Sequence, residues 1–277
     1  MFPISILIAT IAMTFGIGGA VFFAPTFILL FPMMGLTPLS PADAFGAALL
    51  TELAGFSSGL HAYLKKKTID YGTAKFFIKV GVPLSILGTI FKRLVPDWFL
   101  IVIFALMMFT LAIFIWKSMD EVHLSENYQC IFHKKKIVGA DGISHHVCVN
   151  HDTIAAFSVM GGSLLTGMIS VGIGETVVSN LRGRFKNPLP VVAGTSVIIV
   201  VAVVLASSVT DILLVGMDSI PWTLVMFTIP GVIIGGQIGG RLSGALKAST
   251  VEKSIVVIFL VIGSLMTLTS LRKLGVI

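Results

Sequence analysis

The stretch that decides the fold is residues 153–181, TIAAFSVMGGSLLTGMISVGIGETVVSNL. It is apolar, longer than the roughly 20 residues a bilayer core requires of a helix, and carries Gly172-Ile173-Gly174 two-thirds of the way along. A long apolar run with such a break reads as a discontinuous helix or a hairpin that turns back inside the membrane. Non-helical backbone survives at that depth only where it lines a cavity or is buried in protein. The chain opens with a similar run over 4–34, broken at Gly16-Ile17-Gly18-Gly19.

Between and after these two lie further apolar stretches near 42–63, 73–91, 98–116, 190–210, 220–240 and 254–271. The expectation is an all-α integral membrane protein with about eight transmembrane helices, whose first and fifth are discontinuous. Composition agrees. The 277 residues are 56% hydrophobic and 12% charged, about half the charge of a soluble domain, and mean hydropathy is +1.01. The apolar start, Met1 to Thr14, lacks the basic region of a cleaved signal and reads as part of the first helix.

The one long polar segment, 117–152, contains both cysteines and the turn signal Ala140-Asp141-Gly142. It is expected to form a small hairpin outside the membrane, between a first four-helix repeat over 1–116 and a second over 153–277. Pro41 aligns with Pro190, Ser57-Ser58 with Ser207-Ser208, Thr73 with Thr223 and Gly81 with Gly231, always at an offset of about 150. An even number of crossings per half makes such repeats parallel; an extra crossing at the broken helices makes them inverted. Transporters built from repeats hold their solute where the repeats meet.

The net charge of +6 comes from short clusters between apolar runs, such as Lys65-Lys66-Lys67 and Lys134-Lys135-Lys136, which read as anchors facing anionic lipid. No nucleic-acid partner is expected. Eight full crossings distribute the basic residues almost evenly between the two sides, so orientation is not readable.

Several residues could carry function. Glu52 lies mid-helix, where a carboxylate is costly and faces the bundle interior; it reads as a proton-coupling or gating group, or as a neutral acid bonded to a neighbouring helix. Glu175, directly after Gly172-Ile173-Gly174, is a coupling group or a helix cap. The breaks themselves, Gly16, Gly18 and Gly19 with Gly172 and Gly174, offer backbone N–H groups to an anion, or merely let helices pack closely. Thr195-Ser196, Ser57-Ser58 and Gln237 either touch solute or bond neighbouring helices. Arg241 and His61 lie near helix ends and snorkel. Cys130-x-x-His133 and Cys148-x-x-His151 have a zinc-like spacing, yet no metal, cofactor or catalytic residue is expected. A P-loop and hydrolase motifs are absent, so an enzyme or ATP-driven pump is not expected.

The order Gly16-Ile17-Gly18-Gly19, Pro25, Pro41-Ala42-Asp43-Ala44, Gly72 resembles the first repeat of the sulfite exporter TauE/SafE family. Gly167 through Glu175, Asn187-Pro188 and Ala193-Gly194-Thr195-Ser196 resemble its second. This resemblance covers nearly the whole chain and implies a transporter of sulfite, thiosulfate, sulfoacetate or related organic anions in the plasma (inner) membrane. The chain departs at Ala20, where a third glycine is common, and at Glu175, in a glycine-rich position. The expectation is a secondary transporter of a small anion, bound by Gly16, Gly18, Gly19, Gly172, Gly174, Thr195 and Ser196 and coupled or gated by Glu52 and Glu175. A passive channel and a membrane-embedded sulfur-handling enzyme are the alternatives. Membrane lipid and the solute are the partners, with a homo-oligomer left open.

Overall fold

A computed structural model describes residues 2–16, 18–30, 39–122, 133–149, 153–217, 220–242 and 248–273. Helix α1 (Phe2–Phe15) stops at the first glycine break, and α2 (Ala20–Pro25) continues into a π-turn over Thr26–Leu30. Three long helices follow: α3 (Pro41–Lys66), α4 (Tyr71–Leu94) and α5 (Asp97–Val122). After a hairpin of β1 (His133–Val138) and β2 (Ser144–Val149) come α6 (Thr153–Ile169), a second break, and α7 (Ile173–Val178) with its own π-turn over Ser179–Arg184. Helices α8 (Leu189–Val215), α9 (Trp222–Leu242) and α10 (Ala248–Lys273) complete the chain.

Local chemistry sets these boundaries. Ser40 caps α3 by accepting a hydrogen bond from the Asp43 amide, and Pro41 stands in the first turn. Asp70 caps α4 through the Gly72 amide. Gly216, at φ +77, ends α8.

Among the described residues, five helices are long and apolar enough to cross a membrane: α4, α8 and α9 over their whole length, α5 over Asp97–Trp116 and α10 over Lys253–Arg272. The all-α membrane class is as expected; the expected count of about eight transmembrane helices, the first and fifth discontinuous, is not established by these five. Helix α3 is long enough but too polar, because it sits inside the bundle, where Thr51 and Glu52 are buried and α2, α8 and α9 pack against it. The two broken runs become short helices. Large apolar side chains such as Leu106, Leu213, Phe227 and Val257 remain exposed on the long helices, a surface suited to lipid.

Helix directions follow from the close contacts. Gly231, Gly235 and Gly239 of α9 meet Ser5, Ala9 and Met13 of α1 in turn, so α1 and α9 run the same way. Gly81 and Gly88 of α4 meet Ser163 and Gly167 of α6, again the same way. Helices α3 and α8 are opposed, since Gly46 packs on Asp211 and Tyr63 on Gly194. Chain direction reverses at both breaks. Met13 lies beside Gly59 and Tyr63 near the end of α3, whereas Gly18 is back at Glu52, half-way along it. Gly162 of α6 faces Thr176, and Ser158 is bonded by Asn180, so α7 returns along α6. Helices α5 and α10 pair with each other at the edge of the bundle.

The β-hairpin turns at Ala140-Asp141-Gly142, as its composition predicts. Gly142 has φ +78 and donates to Gly139 O at 3.1 Å, and the Ile143 amide donates to Asp141 Oδ1. The hairpin is docked on both halves. Ala140 N donates to Lys66 O, Lys135 Nζ pairs with Asp70 at 2.9 Å, and the Asn187 amide side chain bonds both the N–H and the carbonyl of Cys148. Burial raises the Asp70 carboxyl, but bonds from Thr73 and Lys135, the charge of Lys135 and the Gly72 amide outweigh it and hold it below the ordinary carboxylate range. A depressed carboxyl stabilises above its unfolded value and loses that contribution as pH falls through the folded one. We therefore expect hairpin docking, followed by limited proteolysis, to hold at neutral pH and to weaken only below about pH 4. The effect is small, because Lys135 is half-exposed.

Candidate functional site

The two glycine breaks meet at the centre of the bundle. A side chain on Gly174 would reach within 2.9 Å of Gly18 N and 3.3 Å of Gly16 O, so the two backbones touch. Gly16, at φ +69, rests on Ala193 of α8. Ser196 Oγ donates to Gly16 O at 2.9 Å and leans on Gly174 O at 3.5 Å. Gly19 packs on Phe23 and Ala12.

Both carboxylates converge on this crossing. Glu175 is buried, and its two oxygens accept hydrogen bonds from both breaks: Oε2 from Gly172 N at 2.9 Å and Oε1 from Gly18 N at 3.2 Å. Glu52 reaches the same point from α3. A Cβ on Gly18 would stand 3.0 Å from Glu52 Oε1 and 3.1 Å from Glu175 Oε1. Glu52 faces the backbone of Gly19 and Ala20, but neither of its buried oxygens closes a hydrogen bond of good geometry. The ion pairs among the described residues, at Lys92, Arg93 and Lys135, involve neither glutamate. Two neighbouring buried carboxylates without a counter-cation can hold a proton or a cation between them.

In this structure the Gly18 and Gly172 amides hold Glu175, and Ile173 N donates to Thr166 Oγ1 at 2.7 Å. Thr195 turns away from the carboxylates, its Oγ1 accepting from the Asp70 amide at 2.9 Å. Ser58 and Gln237 bond each other and tie α3 to α9, while Ser57, His61 and Arg241 are exposed. Cys148 is not a free thiol. Cys130 and His151 lie outside the described residues, among which no three His, Cys, Asp or Glu side chains gather to hold a metal.

A second polar cluster escapes sequence reasoning. At the start of α3 and the ends of α4 and α8, Asp211 pairs with fully buried Lys92 at 2.8 Å and with Arg93 at 2.9 Å, and Arg93 also pairs with Asp43 at 2.7 Å. Gly46 leaves the room Asp211 occupies. Asp211 carried the signal that singles out Glu52, an acid within an apolar helix, whereas Lys92 and Arg93 read as interface anchors.

The model of the family described as "Sulfite exporter TauE/SafE" matches residues 1–266. The chain belongs to the sulfite exporter TauE/SafE family. Among curated proteins it is similar to "Probable membrane transporter protein YunE" of Bacillus subtilis (strain 168), at 22% identity over 262 residues, covering 94% of this chain and 93% of that one. No solved structure matches it significantly. This TauE/SafE chain is thus a multi-pass membrane protein of a transporter family.

The breaks of this TauE/SafE protein should tolerate no side chain where the chain reverses. Gly172 has φ +141, and a Cβ there would strike the Gly162 carbonyl. We expect Gly172→Ala to cost about 1–3 kcal/mol in backbone strain alone. Gly161→Ala, with nothing within 4 Å of the added carbon, should be near neutral. Thermal unfolding in detergent compares the two; equal melting temperatures would show that the break is not a strained turn.

Proposed function

We propose that this chain is a secondary transporter of a small anion, of the sulfur-containing class its family name indicates. The observation that carries the reading is the Glu175 carboxylate held by amides of both breaks. A carboxylate is itself a small anion, so its place on these N–H groups supports the breaks as an anion site. Solute and Glu175 compete for the same donors. Glu175 takes a proton and leaves the amides as the solute enters, and Glu52, facing the same point, holds the proton or gates the exchange. Gly16, Gly18, Gly19, Gly172, Gly174 and Ser196 form the site. Thr195 acts from a distance by holding the α3–α4 turn.

The helix pairings support two inverted repeats, each a re-entrant broken hairpin followed by three long helices. The first helix of each half runs beside the third of the other, and the second helices are opposed. Gly81 meets Ser163 of α6 as Gly231 meets Ser5 of α1. A plasma-membrane location and a homo-oligomer through the α5–α10 edge belong to the same reading. The β-hairpin is a cap that transport does not require.

Purified protein in lipid vesicles with an imposed pH gradient tests this reading. Sulfite or thiosulfate should accumulate against its gradient and move protons with it. Flux that follows the anion gradient alone, indifferent to pH, would make the chain a passive channel. No flux of any sulfur oxyanion or organosulfonate would remove the substrate class.

A further inference from the structure

We infer that the face bearing the β-hairpin lies in the cytoplasm, seated against the anionic headgroups of that leaflet. The inference rests on where the chain reverses and is independent of the solute. Because both breaks turn the chain back, segments that eight straight crossings would put on opposite sides come together on one. The hairpin is bonded to the end of α3 at Lys66, to the start of α4 at Asp70 and to the chain after α7 at Asn187. Lys66 Nζ in turn donates to the carbonyls of Gly240 and Arg241 at the end of α9. These bonds fix one face.

Most of the described basic side chains belong to it. Lys65, Lys67, Lys75, Lys135, Lys136 and Arg184 are exposed there. Lys66, Arg182 and Lys186 are half-buried, and Arg241 and Lys253 stand at the neighbouring ends of α9 and α10. At the opposite ends of the helices, the described basic side chains are Lys92, Arg93 and Arg272, and the first two are paired with Asp211 and Asp43. Lysine and arginine accumulate on the cytoplasmic side of membrane proteins, where the leaflet is negative. The bonded Cys148 weighs the other way, since disulfides are rare in a reducing cytosol. It is one bond against a bias spread over the ends of six helices and the hairpin. A cavity of about 590 Å³, lined by Tyr63, Lys65, Thr68, Asp141 and His145, opens on the same face, and Thr68 Oγ1 is buried there without a partner. In this orientation the cavity faces the cytoplasm, and the Asp43–Arg93–Asp211–Lys92 cluster lies toward the outer side.

The test is thiol labelling of the full chain, expressed in bacterial cells with Cys130→Ser and Cys148→Ser, by a membrane-impermeant maleimide. Single cysteines go in at the exposed positions Lys136, Arg184 and Met217. Met217→Cys should label in intact cells, whereas Lys136→Cys and Arg184→Cys should label only after the cells are broken. The reverse pattern would overturn the orientation. Labelling of Lys136→Cys and Arg184→Cys from opposite sides would overturn the reversal at the second break on which it stands, and labelling of all three in intact cells would mean that no single orientation is selected.

Discussion

Glu175→Gln should abolish pH-driven accumulation of the anion, with uptake down at least about tenfold, while the solute still binds. The side chain keeps its shape and loses its titration. Each Glu175 oxygen serves one break, Oε1 the Gly18 amide and Oε2 the Gly172 amide. Glutamine has one accepting oxygen, so one of these buried amides loses its partner, at a cost of about 1–3 kcal/mol. Solute binding then meets a weaker competitor for the amides, and affinity in the absence of a gradient should hold or rise. Glu52→Gln separates the two roles. Glu52 makes no hydrogen bond of good geometry, so its substitution should leave the melting temperature nearly unchanged and reveal only its part in coupling. Paired flux and binding measurements in vesicles and detergent decide the matter. Parent-like accumulation by both variants would end the proton-coupling idea in favour of a channel or a sodium-coupled carrier.

Asp211→Ala should be the most destabilising single change, at about 3–5 kcal/mol, because it leaves a buried cation without its partner. Lys92 is fully buried and its partner at 2.8 Å is Asp211. Asp43→Ala, by contrast, removes a half-exposed partner of Arg93, and a pair of that kind is worth about 0–1 kcal/mol. Arg93 would still hold Asp211. The two variants therefore separate widely in thermal unfolding if the cluster is a buried structural joint between α3, α4 and α8. Similar melting temperatures would mean that water reaches Lys92 in the native protein.

Much of this was legible in the residues. The lipid environment, the two interrupted helices, the hairpin turn at Asp141-Gly142 and the buried acids Glu52 and Glu175 all follow from local rules: hydropathy over a helix length, the loss of helix at glycine, and the cost of a carboxylate in an apolar run. These are properties of a segment and its immediate neighbours, and the order of the motifs was enough to show the family resemblance. Tertiary structure alone decided the rest. Gly16 to Gly19 and Gly172 to Gly174 say that a helix stops, but not that the chain then reverses; packing of α1 on α9 and of α6 on α4 sets that. The reversals bring Glu175 onto the Gly18 amide across 157 positions of sequence, turn Thr195 toward Asp70, and gather the basic residues on one face. None of these was readable from segments, because which donor meets which acceptor depends on how whole helices cross, and a count of sides fails as soon as one apolar run does not cross.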